Sequence, residues 1–368
     1  MASLHELSRL GQSIWLDYID RNLVRNAGLQ RLVDSGVTGV TTNPTIFHKA
    51  ISGSTDYDEA IRELLEQDHQ ILPGDICETL MVADVQAATD VLRPVYERTG
   101  GRDGYVSLEV PPDLAYSVER TVATAHRLWG AVARPNVLIK VPGTAEGVKA
   151  FERLTAEGVN VNVTLLFSVA RYEEVVRAWA RGLARNAHPE RMASVASFFV
   201  SRVDTKVDRQ LDAIDSPEAR RLKGRVAIAN AKIAYQRFLA LAKDPEAAAQ
   251  LKRGARPQRP LWASTSTKNP AYRDVLYIES LIGDNTVNTV PPETLDAFLY
   301  HGEARHTLET DVDIARRDLD ALRALGVDLD AVTRELENEG VTAFRDSWDK
   351  LLASLKQKCF TVSKAFAG

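Results

Sequence analysis

Short runs of apolar and polar residues alternate with period 2 along this chain, and each gives way to a longer stretch with helical spacing. The clearest run is 105–110, where Val106, Leu108 and Val110 share one face and Tyr105, Ser107 and Glu109 the other, before Pro111 and Pro112 stop it. The same pattern predicts strands over 13–19, 36–43, 136–141, 160–167, 193–200, 261–265 and 286–290. Helices are expected over 28–35, 57–66, 76–98, 117–131, from Thr144 onward, and over 169–183, 292–301, 308–325 and 329–355. Leu80, Ala83, Ala87, Val91 and Val95 give the 76–98 stretch its amphipathic face. A helical insertion runs over about 204–255, and Pro257 and Pro260 bracket the start of the seventh strand. No repeat of 20–50 residues is visible.

Eight strands alternating with helices suit a closed (β/α)8 TIM barrel better than a doubly wound sheet. No Gly-x-Gly-x-x-Gly follows the first strand, so the main sequence sign of dinucleotide binding is missing. The expected architecture is one α/β barrel domain over 1–368, its core about 13–300. Extra helices fall between strands 2 and 3, between strands 6 and 7, and at the C-terminus over 301–368. Phe360 and Phe366 are candidates to pack over the barrel mouth.

The fourth strand carries the strongest chemistry. In Asn136-Val-Leu-Ile-Lys140-Val-Pro-Gly-Thr144, Val137, Ile139 and Val141 form one face while Leu138 and Lys140 point the other way. An ammonium buried there loses hydration, so such a place favours the neutral amine. Bringing a lysine from about 10.4 to about 7 takes several units, each worth about 1.36 kcal/mol. Neutral amines attack carbonyls and form Schiff bases. A strand-end lysine can also reach solvent along its alkyl stem, so the other strands decide. They place Asp17, Asn43, Glu109, Asn162, Thr164 and Ser197 on barrel-facing sides, mainly toward strand C-terminal ends. Polar groups that cannot satisfy each other in an apolar barrel point to a site. In that site Lys140 attacks a ketone, Glu109 acts through a water held with Thr164 as the acid for dehydration, and Asp17 is the base for carbon–carbon cleavage. Asn43, Asn162 and Ser197 offer neutral hydrogen bonds to polyol hydroxyls.

Composition narrows the setting. The 368 residues are 45% hydrophobic and 26% charged with net charge −4, which gives no overall signature of nucleic-acid or membrane binding. Cys77 and Cys359 are too few for a disulfide framework or a cysteine-built zinc site. The histidines, His48 and His126 among them, form no ligand spacing, so no metal is expected. The N-terminal residues lack a basic and apolar leader pattern, and a cytoplasmic protein is the simplest expectation. Helix faces leave monomer and homodimer equally open.

Thr41-Thr-Asn43-Pro44, Glu109-Val, Ile139-Lys140-Val-Pro-Gly-Thr144 and Asn162-Val-Thr164-Leu-Leu-Phe-Ser, in that order, resemble the transaldolase motifs, with similarity over about 13–300. The resemblance implies a cofactor-free Schiff-base enzyme of the pentose phosphate pathway on a barrel fold. It would move a dihydroxyacetone unit from a ketose phosphate (sedoheptulose 7-phosphate or fructose 6-phosphate) to an aldose phosphate. It implies Lys140 as the imine lysine, Asp17 as acid–base at the donor's C4 hydroxyl, and Glu109 with Thr164 as the water-holding pair. Asn43, Asn162, Ser197 and Phe199 would line the dihydroxyacetone site. Arg202 matches the family's phosphate arginine, whose guanidinium grips phosphate bidentately. The second anchor departs: where many relatives read Ala-Ser-Phe-Arg, this chain reads Ala263-Ser264-Thr-Ser266-Thr-Lys268. Ser264 matches, Ser266 stands in place of arginine, and Lys268 is expected to supply the cation as a looser point charge. The nearest alternative is a fructose-6-phosphate aldolase-type lyase. That group carries glutamine at the place of Glu109 and tyrosine at that of Phe199.

Overall fold

Strand-length apolar faces at period 2 can be buried on both sides only if helices cover the outside and the inside closes on itself. The computed structural model, which describes residues 3–366, has this arrangement: eight parallel strands in sequential order with β1 also paired to β8. They are β1 Gln12–Leu16, β2 Val37–Thr41, β3 Tyr105–Glu109, β4 Val137–Pro142, β5 Val161–Leu166, β6 Ser194–Phe199, β7 Arg259–Ala263 and β8 Thr286–Val290. Val106, Leu108, Val137, Ile139, Val141 and Val163 face outward and are fully buried. Helices Pro73–Arg98, Val118–Val132, Ala145–Ala156 and Val169–Arg185 belong to the covering layer. Each such side chain is worth about 1.5–3 kcal/mol of burial.

The inner face has two different ends. At the N-terminal floor, the Trp15 ring lies flat against β2, where Gly39 makes room: an added Cβ would sit 2.5 Å from the indole. Trp15 Nε1 donates to Asp103 Oδ1 at 2.7 Å, and Ser13 donates to the other carboxylate oxygen. Arg259 of β7 lies 3.7 Å from Asp103 and donates to Ser13 Oγ and the Arg102 carbonyl. The C-terminal mouth carries the candidate site.

Several boundaries differ from the sequence expectation for physical reasons. Pro44 does not merely stop β2; it opens a helix, Pro44–Ser52, whose N-cap is Asn43, and proline is at home in a first helical turn. β7 begins at Arg259, two residues early. Pro260 fits inside because the ladder to β8 starts only at Leu261, so its missing N–H faces no partner there. β7 ends before Thr265, since Ser264 adopts a left-handed backbone (φ 56). The insertion before β7 contains helices Ser201–Ile214, Pro217–Leu222, Val226–Ala240 and Pro245–Lys252. The last helix runs over Leu329–Phe366, well past 355. Phe360 does not cover the mouth: it is 55% exposed, with Lys364 over its ring at 4.3 Å. The side chain of Phe366 lies outside the described residues. The aromatic that does reach the mouth is Phe344, from the middle of the same helix.

Candidate active site

Register sets the centre of the site. Lys140 of β4 is paired with Glu109 of β3 on one side and Asn162 of β5 on the other, so an amine, a carboxyl and an amide stand in one row across three strands. Lys140 Nζ is buried, donates to the Thr42 carbonyl at 3.1 Å and lies 3.4 Å from Glu109 Oε2. Beyond that ion pair, Glu109 Oε2 has no hydrogen-bond partner among the described residues, and neither has buried Thr164 Oγ1. Burial pushes the Glu109 carboxyl up to about 7; Lys140 pulls it down, and the charge of Asp17 pushes it further up. Asn162 is held at both amide ends, donating to Ser107 Oγ at 3.0 Å and accepting from Ser197 Oγ at 2.7 Å.

Asp17 sits just beyond β1, where its N–H still extends the ladder to the Val290 carbonyl. Its Oδ1 accepts from Thr41 Oγ1 at 2.7 Å, and Thr41 Oγ1 lies 2.5 Å from Thr289 Oγ1. Burial raises its pKa above the ordinary carboxylate value, while Lys140, the Thr41 hydroxyl and Lys268 work against that rise. Two carboxyls in different surroundings thus flank one amine, the usual way to separate acid and base duties.

A pocket of about 700 Å³ opens onto this centre, a size suited to a small metabolite. Asp17, Asn43, Lys140, Ser197, Phe199, Arg202, Ser264 and Lys268 all border it; Glu109, Asn162 and Thr164 lie behind that wall. Asn43 has a local duty as well, since its Oδ1 caps helix Pro44–Ser52 by accepting from Ile46 N–H at 3.0 Å. Its amide nitrogen has no protein partner among the described residues. Phe199 packs on Phe167 and supports Arg202, whose guanidinium is 5.6 Å from its ring centroid. Arg202 makes no hydrogen bond or ion pair among the described residues. Lys268 Nζ donates to Ser266 Oγ at 2.6 Å; desolvation, and then the charge of Arg202, lowers its pKa. Ser264 Oγ lies 2.9 Å from Ser201 Oγ.

Among the pocket residues with no role assigned from the sequence, three bear on the chemistry. Thr41 is visible only as part of the Thr-Thr-Asn-Pro stretch. Lys49 brings a further exposed cation to the rim, close enough for its charge to act on Lys268; it lies on the helix that the sequence pattern hid. Phe344 comes from the C-terminal helix, 5.8 Å from Lys140 Nζ to ring centroid.

Comparison with known proteins gives this geometry its context. A family model described as "Transaldolase/Fructose-6-phosphate aldolase" matches residues 14–355. The chain belongs to this family. It is 48% identical over 355 residues to the transaldolase of Thiobacillus denitrificans, covering 95% of this chain and 98% of that protein. It is 47% identical over 361 residues to the transaldolase of Frankia alni, covering 96% and 97%. With the transaldolase of Trichodesmium erythraeum it shares 42% over 370 residues, covering 96% and 97%. The family match reaches into the C-terminal helix, so the segment bearing Phe344 falls within the matched region. Among the described residues no helix is long and apolar enough to cross a membrane.

Proposed function

We propose that this chain is a transaldolase, transferring a dihydroxyacetone unit from a ketose phosphate to an aldose phosphate through a Schiff base on Lys140. The observation that carries the reading is the buried Lys140 amine, 3.4 Å from a carboxyl raised to about 7 and open on one side to a pocket rimmed by cations. Relatives at 42–48% identity bear the transaldolase name.

The steps follow from the groups at hand. The amine adds to the donor's ketone; the carbinolamine loses water with Glu109 as proton source, through a water held with Thr164. The protonated imine draws electrons from the adjacent carbon–carbon bond as Asp17 takes the proton of the C4 hydroxyl, releasing an aldose phosphate and leaving an enamine. Addition to a second aldose phosphate and hydrolysis complete the transfer. Asn43, Asn162 and Ser197 hold hydroxyls of the three-carbon unit, while Arg202, Ser264 and Lys268 hold the phosphate. No cofactor or metal takes part. The substrates are sugar phosphates, and the expected setting is the cytoplasm, within the pentose phosphate pathway. The chain, 1–368, is read as one unit, because Phe344 of the C-terminal helix borders the pocket.

The lyase alternative is disfavoured by Glu109 and Phe199, which stand where fructose-6-phosphate aldolases carry glutamine and tyrosine. Borohydride with fructose 6-phosphate should leave a reduced adduct that peptide mapping finds on Lys140. A coupled assay for glyceraldehyde 3-phosphate should show sustained turnover only when erythrose 4-phosphate is present. No adduct on Lys140, or acceptor-independent turnover, overturns the reading.

A further inference from the structure

The polar centre has two sides that meet water differently. Behind Lys140, Glu109 and Thr164 are buried and do not border the pocket; among the described residues Thr164 Oγ1 has no hydrogen-bond partner, and Glu109 Oε2 has only its ion pair with Lys140. On the pocket side stands the ring of Phe344, itself 6% exposed. The helix that bears it is pinned on both sides of this residue. Glu337 pairs with Arg171, and Glu335 and Glu339 with Lys206 at 2.7 and 2.5 Å. Further on, Ser347 accepts from Thr45 Oγ1 at 2.9 Å, and Lys358 pairs with Asp58. One turn before Phe344, Gly340 lets the helix settle on Leu165, next to Thr164; an added Cβ would lie 2.9 Å from the leucine Cδ2. Leu165 has a left-handed backbone (φ 60), a costly conformation for leucine, at the point where β5 loses regular pairing with β6.

We propose that Phe344 is a specificity-determining residue: its ring keeps pocket water from the covalent intermediate, so that the three-carbon unit passes to an acceptor instead of being released. The inference rests on the transaldolase reading above. The unwanted path is chemically simple. Pocket water protonates the enamine carbon, restoring the protonated imine and leaving hydroxide; that oxygen adds to the imine carbon, its proton passes to nitrogen as the C–N bond breaks, and free dihydroxyacetone leaves with Lys140 restored as the amine. The protonation that starts this path is what an apolar ring beside the amine suppresses. In the proposed mechanism dehydration and rehydration use the water held by Glu109 and Thr164 behind the amine, and the imine formed after transfer needs no protonation of carbon, so a covered pocket face does not prevent normal turnover.

The test measures partition. Fructose 6-phosphate alone should give wild-type enzyme one equivalent of glyceraldehyde 3-phosphate per active site, followed by a slow release phase. Phe344→Ala should raise the ratio of acceptor-independent release to erythrose 4-phosphate-dependent transfer by about tenfold or more. Phe344→Leu, which keeps an apolar cover, should stay within about threefold of wild type. If the alanine variant does not fold, Phe344→Val carries the test, with a rise of about threefold or more expected. A folded alanine or valine variant that traps donor on Lys140 but keeps the wild-type ratio overturns the inference, since a purely structural ring would lower both rates together. Wild-type enzyme that forms no adduct on Lys140 overturns the transaldolase reading instead.

Discussion

The two ends of the barrel use the same strands and differ in how their polar groups are paired. At the floor, Asp103 accepts from Trp15 and Ser13 and faces Arg259, which also donates to Ser13 and a carbonyl, so charge and hydrogen-bonding capacity are spent within the protein. At the mouth, four residues beyond Ser13 and six beyond Asp103, Asp17 and Glu109 face the amine of Lys140, and among the described residues Thr164 Oγ1 has no hydrogen-bond partner and Glu109 Oε2 has only its ion pair with that amine. Satisfied networks rigidify a fold; unsatisfied ones raise its energy and wait for a ligand. The contrast is one of charge. The Asp103 cluster spends its charges within the protein, although Gln12 Oε1, Asn136 Oδ1 and Gln258 Oε1 near the floor also lack hydrogen-bond partners among the described residues. At the mouth, two carboxyls share one amine beside an open pocket.

Substitutions at the mouth should therefore cost activity and spare stability, and the largest effect is at the amine. Lys140→Arg should fold, yet lose both borohydride trapping and turnover, because a guanidinium cannot form the imine. Retained turnover would dismiss the Schiff-base mechanism. Asp17→Ala should still trap donor but cleave the carbon–carbon bond about 10²–10⁴-fold more slowly, the span expected of a positioned acid–base. Single-turnover release of glyceraldehyde 3-phosphate measures this directly, and an unchanged rate would strip Asp17 of the role.

The floor should behave in the opposite way. Asp103→Asn leaves Arg259 buried without its counter-charge, at a cost of about 3–5 kcal/mol in unfolding free energy. Activity per folded molecule should hold. Urea unfolding alongside active-site titration separates the two readouts, and an activity loss exceeding the loss of folded protein would blur the division between the ends.

Glu109 lets the mouth be read through pH. Its carboxyl rises from an ordinary 4.5 to about 7 in the folded protein, so between those values the folded state holds a proton that the unfolded state has released. Stability contributed at this site is therefore lost as pH increases from about 4.5 to about 7. Glu109→Gln should flatten that slope in unfolding free energy. In the proposed mechanism the same protonated carboxyl is the acid for dehydration, so wild-type turnover should fall as pH climbs through about 7. In the glutamine variant turnover should be low throughout, without a limb at that pH. A wild-type slope that survives the substitution assigns the pH dependence elsewhere.

The part of this contrast that was legible in the sequence is the part that period 2 encodes. Glu109, Lys140, Asn162, Thr164 and Ser197 occupy alternate places on short strands, and alternation alone puts them inside. Residues whose position depends on a loop or a distant helix left no such signal. Asp103 precedes β3 in a loop and shows no pattern, though it is the hub of the floor. Lys49 gives no signal because in the sequence Pro44 reads as the end of a strand, whereas it is also the first residue of a helix. Phe344 lies on a helix of 38 residues whose amphipathicity says that some face is buried but not that one turn of it meets a barrel mouth.

The cationic rim should show the smallest effects, and it distinguishes binding from chemistry within the mouth itself. Arg202, Lys268 and Lys49 border the same pocket, but the two lysines are exposed, where Coulomb attraction to a phosphate is screened. Lys268→Ala should raise KM for fructose 6-phosphate by about 3–10-fold, and Lys49→Ala by about 2–5-fold, each corresponding to the roughly 0.5–1.5 kcal/mol of a partly solvated ionic contact. Both effects should shrink in high salt. Turnover of unphosphorylated dihydroxyacetone should change little in either variant, because a rim charge has no phosphate to grip there. Equal losses for phosphorylated and unphosphorylated substrates would mean that these lysines shape the pocket instead of holding the anion. Lys268 would then not replace the arginine for which this chain has Ser266.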